Sequence, residues 1–383
     1  MPYWRLSGFY LFYFASLGVL VPYWSLYLKS LGYSAVQIGE LLAIIMATKI
    51  VSPNIWGWIA DHTGKRMAIV RSGSLLAALA FLGVFLGSGY WWLMGVMLLF
   101  SFFWNAALPQ FEATTMTHLG DEPHRYSTIR LWGSIGFILA VAALGPVLEQ
   151  HGATLVPAVL LILIMAIWLM SLLVPERAAG YLPLNHERLA NVLRRPQVLA
   201  LLLVCLLMQA SHGPYYTFYT IYLEAHGYSR GLIGQLWALG VIAEVILFLA
   251  LHRLVPRFGL RRLLLSALLL AALRWVMIGW FVDNLPLLIV AQLLHAASFG
   301  VYHGVAIQLI HRYFTGRHQG RGQALYSSMS FGLGGALGAL YSGYAWDSLS
   351  PQTTFMLAAL ISLVSFVVAW RSVYPDTTVR HSH

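Results

Sequence analysis

The chain has 383 residues, 59% of them hydrophobic and 9% charged, with a formal net charge of +10. Soluble domains carry roughly 25% charged residues. The deficit leaves too little polar surface to face water, so a soluble globular protein is excluded. The question becomes how often the chain crosses a membrane.

A crossing needs about 20 mostly apolar residues. Twelve runs meet that need: 6–28, 36–58, 67–87, 91–115, 128–148, 155–174, 198–223, 231–252, 262–282, 285–309, 322–344 and 353–373. Backbone groups in lipid must be satisfied within their own segment, so continuous apolar runs predict helices. A β-barrel would show alternating strands of about ten residues instead. The expected fold is an all-α membrane protein of twelve transmembrane helices. The first run lacks a basic n-region and a small-residue cleavage site, and reads as a retained span. The single cysteine, Cys205, lies within the seventh run and reads as a buried, inert thiol.

Of the 23 Lys and Arg residues, 18 fall in even-numbered loops and at the two ends of the chain. They cluster as Lys65–Arg66–Arg71, Arg194–Arg195, Arg253–Arg257–Arg261–Arg262 and Arg312–Arg317–Arg321. Only Lys29 and Arg230 occupy odd-numbered loops, and three lie within spans. The positive-inside rule then predicts that both termini are cytoplasmic. Topology accounts for the basic surplus, so nucleic acid is not an expected partner.

Residues 27–44 (YLKSLGYSAVQIGELLAI) recur at 222–239 (YLEAHGYSRGLIGQLWAL), an offset of 195. Carried further, Gly64 meets Gly259 and Arg66 meets Arg261. The repeat predicts two six-helix halves, 1–174 and 198–383, joined by a polar, proline-flanked cytoplasmic linker at 175–197. The His186–Glu187–Arg188 run inside that linker reads as solvated charge. Repeats about an axis normal to the membrane place substrate between the halves, near the midplane.

The loop after the second span contains Gly57, Asp61, Gly64, Lys65 and Arg66 at the spacing G-x-x-x-D-x-x-G-[RK]-[RK]. It resembles the signature loop of the major facilitator superfamily, which implies a gating role on the cytoplasmic side. Gly57 would permit close helix packing. Asp61 would face helix N-termini and basic groups as a latch, and Gly64 would supply a turn with positive φ. The second copy is degraded, since Pro256 replaces the aspartate.

An ionisable group mid-span costs roughly 2.5–3.5 kcal/mol on insertion scales and is a functional candidate by default. The candidates are Lys49, Glu112, Arg130, Glu244, Arg274 and His295, whereas Glu40 reads as interfacial. Asn105-Ala-Ala-Leu-Pro109-Gln-Phe-Glu112-Ala, followed by Arg130-Leu-Trp132-Gly133, resembles the lactose permease branch of the superfamily. The resemblance implies that Glu112 and Arg130 hold the substrate together. A carboxylate and a guanidinium on adjacent helices would also offset each other's desolvation. A structural ion pair between helices is the alternative.

In the second half, Gln209-Ala-Ser-His212-Gly-Pro-Tyr215-Tyr216, Leu236-Trp237-Ala-Leu-Gly240-Val-Ile-Ala-Glu244, Arg274-Trp275 and Gln292-Leu-Leu-His295 resemble the bacterial 3-phenylpropionic acid transporter family. Arg274 and His295 match the proton-coupling cluster of lactose permease-like proteins. That cluster also has a Glu one turn after the His, where this chain has Ser298. Glu244, the remaining mid-span acid of this half, is therefore assigned the proton. Lys49 aligns with Glu244 at the repeat offset, and either attracts an anionic substrate or pairs with an acid. His295, Ser298 and Tyr302 share one face of an ideal helix, with His303 about 80° around it. His303 and His212 read as packing residues. Tyr23, Trp24 and Tyr27 recur as Phe218, Tyr219 and Tyr222, either as packing or as aromatic walls of a cavity. Gly332, Gly334, Gly335 and Gly338 read as close helix packing.

The expected function is proton-coupled symport of a small organic substrate by alternating access in a bacterial inner membrane, most simply an aromatic carboxylate such as 3-phenylpropionate. A sugar or nucleoside symporter and an exporter of lipophilic compounds are the alternatives. No enzyme activity, catalytic residue, cofactor or metal is expected. The expected partners are substrate, protons and lipid, and the expected oligomeric state is a monomer.

Overall fold

Ser34 starts the second helix by accepting a hydrogen bond from Gln37 N at 3.3 Å, while the Gln37 side chain accepts from Ser34 N at 3.1 Å. This reciprocal cap satisfies two otherwise orphaned amides. Its repeat equivalent Ser229 caps the eighth helix through Leu232 N at 3.2 Å. Gly64 and Gly259 close the same two helices with φ of +67° and +75°. The repeat read in the sequence is therefore also a repeat of helix starts and stops.

A computed structural model describes residues 2–177, 189–315 and 318–373. Most of the linker, including His186–Arg188, and Arg317 lie outside the described residues. Among the described residues, eleven helices are long and apolar enough to cross a membrane: Tyr3–Ser30, Ala35–Thr63, Arg66–Phe85, Tyr90–Leu119, Tyr126–His151, Ala153–Leu173, Pro196–Ala225, Arg230–Phe258, Leu260–Trp280, Leu285–Tyr313 and Pro351–Ser372. They are spans 1–10 and span 12. Span 11 is assembled from His318–Ser327, Ser328–Gly334 and Gly335–Ser348. Its Gly and Ser content lowers its hydropathy without breaking the helix. Two six-helix bundles result, with no strand among the described residues.

Helices in lipid gain little from apolar burial against one another, so they associate where small residues let backbones approach. The span 11 glycines do this as expected. A Cβ on Gly334 would sit 2.5 Å from Leu206 O, and one on Gly338 would sit 2.8 Å from Ala210 O. The two halves meet the same way at the end opposite the chain termini. A Cβ on Gly39 would lie 2.7 Å from Ala339 O of span 11. One on its repeat mate Gly234 would lie 2.5 Å from Val141 O of span 5. Around these contacts Ala35 N donates to Asp347 Oδ2 at 3.2 Å, Arg230 Nη1 to Leu148 O at 2.7 Å and Tyr344 Oη to Glu40 Oε1 at 2.8 Å.

The signature loop lies at the other end. Asp61 is 74% exposed and forms an ion pair with its neighbour Arg66 at 3.8 Å. Gly57 meets only Gln110 Nε2 of its own half, at 3.7 Å. Among the described residues, the expected close packing at Gly57 and the expected latch at Asp61 are therefore not made in this conformation. The halves are joined at the far end, and the loop is free of that duty.

Candidate functional site

Span 4 carries Glu112 two turns before its end, and span 5 carries Arg130 one turn after its start. Tyr126 Oη donates to Glu112 Oε1 at 3.4 Å. The Arg130 guanidinium lies over the Phe14 ring at 3.7 Å, with Tyr10 at 5.9 Å. Among the described residues no ion pair within 4 Å joins Glu112 to Arg130, so the alternative of a structural ion pair is not formed and Arg130 rests on an aromatic seat. A guanidinium stacks well on a ring face and keeps its N–H edge for other partners. Gly133 makes the seat possible, because a Cβ there would lie 2.6 Å from Arg130 Nη1 and 2.7 Å from Phe14.

Asn105 is buried, and its Nδ2 donates to Thr48 Oγ1 at 2.9 Å. Thr48 in turn donates to Ser101 at 2.9 Å. The amide expected near substrate is thus engaged in clasping spans 2 and 4. One residue on, Lys49 is half-buried and forms no ion pair among the described residues. Met46 and Ile50 on either side pack against Gly335 and Gly332 of span 11, so this stretch of span 2 faces the second half.

In the second half the sequence motifs converge. Tyr215 Oη donates to Gln292 Oε1 at 2.9 Å, and Gln292 Nε2 donates to Tyr219 Oη at 2.6 Å. Glu244 Oε2 lies 3.4 Å from His295 Nε2. Arg274 is fully buried; its Nε donates to Ala291 O at 2.9 Å and its Nη1 to Ser298 Oγ at 3.2 Å. Its guanidinium lies 4.1 Å from the Tyr215 ring and 4.7 Å from the Trp275 ring. Ser298 therefore meets Arg274 at the position where the lactose permease resemblance leads one to expect an acid.

Two sequence expectations change here. Span 10 winds as a loose π-type turn over Ala296–Val301, and such turns advance less per residue than an α-helix. That takes up the 80° offset, so His295, Phe299 and His303 stack in one column with ring separations of 5.4 and 5.7 Å. His303 thus shares the face of His295, and its Nδ1 lies 2.7 Å from Tyr326 Oη. The six repeated aromatics on spans 1 and 7 are all buried packing residues. Tyr23 Oη, for instance, donates to Val141 O at 2.7 Å, and Tyr222 Oη to Gly279 O at 2.8 Å. Half-buried rings beside the mid-span charges and histidines include Phe14, Tyr216, Phe299 and Phe331.

Spans 5 and 8 run antiparallel, with Gly145 against Arg230 and Val141 against Gly234. Continued along both helices, that register brings Arg130 level with Glu244. No cluster of three or more metal-ligating side chains occurs among the described residues.

Twelve helices in two pseudo-equivalent bundles, with mid-span charges between them, define a multi-pass transporter of the major facilitator fold rather than an enzyme. The chain belongs to the MFS_1-like family, whose model matches residues 3–357. It is 31% identical to the probable 3-phenylpropionic acid transporter of Escherichia coli K12 over 368 residues, covering 94% of this chain and 95% of that one. It is 28% identical to maltose permease of Geobacillus stearothermophilus over 372 residues, covering 94% and 92%. Its fold matches a mutant form of the nucleoside transporter NupG with a TM-score of 0.84 at 16% identity, covering 97% of this chain and all of that one.

Proposed function

We propose that this transporter carries a small carboxylate together with a proton, and that an aromatic acid such as 3-phenylpropionate is its substrate. The carrying observation is a charge imbalance. Lys49 and Arg130 lie within the spans of the first half, and among the described residues neither is ion-paired with a carboxylate. Against these two stands one mid-span acid of that half, Glu112. A monoanion supplies the missing charge. The half-buried Phe14, Tyr216, Phe299 and Phe331 suit a phenyl ring, and the 31% identical relative is named for such an acid.

In this reading Arg130 grips the carboxylate through its free edge and Lys49 adds attraction. Asn105 holds spans 2 and 4 in register. Ionised Glu112 disfavours the anion at Arg130, and protonation removes that repulsion, so the anion binds the form with protonated Glu112. Glu244 and His295 carry the coupling proton, with Arg274 fixing spans 9 and 10 around them. Protonation of Glu244 changes its attraction to Arg130 across the halves and biases their rocking. The halves 1–174 and 198–383 move about the 175–197 linker. The loop of Gly57, Asp61, Gly64, Lys65 and Arg66 closes the cytoplasmic end in the opposite state. Both termini are cytoplasmic, and the protein acts as a monomer in a bacterial inner membrane.

The test is external pH in a lightly buffered suspension of de-energised, overproducing cells on addition of 3-phenylpropionate. Cells making the wild type are expected to alkalinise the medium, and cells making Glu244→Gln to stay flat like cells lacking the protein. Alkalinisation by both would move the proton to Glu112 or His295. No response from the wild type would overturn symport of this acid.

The 28% identical maltose permease favours a second reading, a neutral sugar held by Glu112 and Arg130 through hydroxyls. Arg130→Lys separates the two. A point charge is expected to retain part of the uptake of a carboxylate, whereas a bidentate grip on neighbouring hydroxyls is lost with the fork.

A further inference from the structure

Arg274 is 0% exposed, and its Nη2 has no hydrogen-bond partner. Its other contacts are all neutral: the Ala291 carbonyl, the Ser298 hydroxyl and the faces of Tyr215 and Trp275. Among the described residues no carboxylate lies within 4 Å of it; Glu244 is turned to His295. A buried guanidinium normally requires a hydrogen-bonded counter-charge, and an uncompensated one is strongly destabilising. The surroundings are unsatisfied in the same way. His212, 0% exposed, has a partnerless Nε2, and His295, 5% exposed, has a partnerless Nδ1. The three basic groups share one shell of rings. Trp275 contacts His212 at 4.8 Å, Tyr215 contacts His295 at 5.9 Å, and Phe299 contacts both imidazoles.

We infer that Arg274, flanked by His212 and His295, is a binding site for a small monoanion, a halide or a carboxylate, which stands where an internal acid would otherwise sit beside Ser298. This goes beyond the transport reading and holds whichever substrate is carried. The anion accepts from Arg274 Nη2. Burial behind Trp275 and Tyr215 limits it to small ions and excludes bulky ones. A bound anion ties spans 9 and 10 together and fills the neutral side of the cluster that Glu244 does not reach.

The test is thermal unfolding of the purified full chain in sodium gluconate, chloride or formate at equal ionic strength. Chloride or formate is expected to raise the midpoint saturably, by about 3 °C or more over gluconate, because ligands that bind only the native state stabilise it by mass action. Ser298→Glu places a carboxylate beside the guanidinium, so its midpoint in gluconate should be at least that of the wild type in chloride, with no further anion increment. Arg274→Gln, the second variant, should also lose the increment. Equal wild-type midpoints in all three salts would overturn the proposal. So would a full chloride increment surviving in either variant.

Uptake by Ser298→Glu then identifies the source. Loss of uptake, with stabilisation by formate but not chloride, marks the anion as the transported carboxylate itself. Retained uptake with a chloride response marks a halide from the medium. Failure of the transport reading appears separately, as absent alkalinisation in wild-type cells.

Discussion

Arg130→Gln is expected to weaken binding of the carried anion by roughly 100-fold or more, because a carboxylate gripped by two charged hydrogen bonds loses about 1.5–3 kcal/mol for each. The geometry makes the effect large. Phe14 holds the guanidinium at 3.7 Å, and among the described residues no acid within 4 Å competes for its edge. The edge is therefore pre-oriented, and little binding energy goes into breaking an existing pair. Equilibrium binding of labelled substrate to purified protein checks the loss, with Glu112→Gln in parallel. That variant mimics the protonated acid. Its affinity should match the low-pH value of the wild type and stay there as pH rises, while the wild type weakens on deprotonation. Anion affinity that remains equally pH-dependent in Glu112→Gln would remove Glu112 from the mechanism. Undiminished affinity in Arg130→Gln would remove the grip.

Much of this site could be read from the residues alone, and what could not has identifiable causes. Mid-span charge is costly in lipid, so Lys49, Glu112, Arg130, Glu244 and Arg274 announce themselves without a structure. Caps and stops are local, so Ser34 and Gly64 mark their helix ends directly. Facing is harder, because a ring against lipid and a ring against another helix sit in equally apolar surroundings. The six repeated aromatics of spans 1 and 7 are therefore ambiguous in sequence, and only the fold shows that they pack. Asn105 is ambiguous for a related reason, since the same amide can face a ligand or clasp Thr48. His303 fails through phase. The reading assumes 100° per residue, and the loose turn at Ala296–Val301 breaks that assumption between His295 and His303. The seat of Arg130 on Phe14 is not legible, because the two residues lie far apart in sequence and nothing local pairs them.

The repeat carries a second expected result of similar size. Gly39 and Gly234 occupy equivalent places in it, and each presses its backbone onto the opposite half. A Cβ at Gly234 would meet a backbone oxygen, Val141 O, at 2.5 Å. Backbone cannot swing aside as a flexible side chain can, so Gly234→Val must push spans 5 and 8 apart. Overpacking of this kind costs roughly 1–3 kcal/mol, and here the cost falls only on the state in which the far ends touch. The balance between the two states should therefore shift by about 5- to 150-fold toward the one open at the far end. Cysteines placed at Ala35 and Asp347, in a Cys205→Ser chain, report the closed far end, because Ala35 N and Asp347 Oδ2 lie 3.2 Å apart there. Cross-linking with a short thiol reagent should fall sharply in Gly234→Val, and uptake should fall with it. Gly95→Val is the control, since a Cβ at Gly95 meets nothing within 4 Å. If Gly234→Val cross-links and transports like Gly95→Val, the glycine contact does not seal the far end. If cross-linking falls while the protein stays folded, the two glycines are points at which the far ends seal. Their recurrence at an offset of 195 then has a mechanical reason, because each half must offer the other the same close approach.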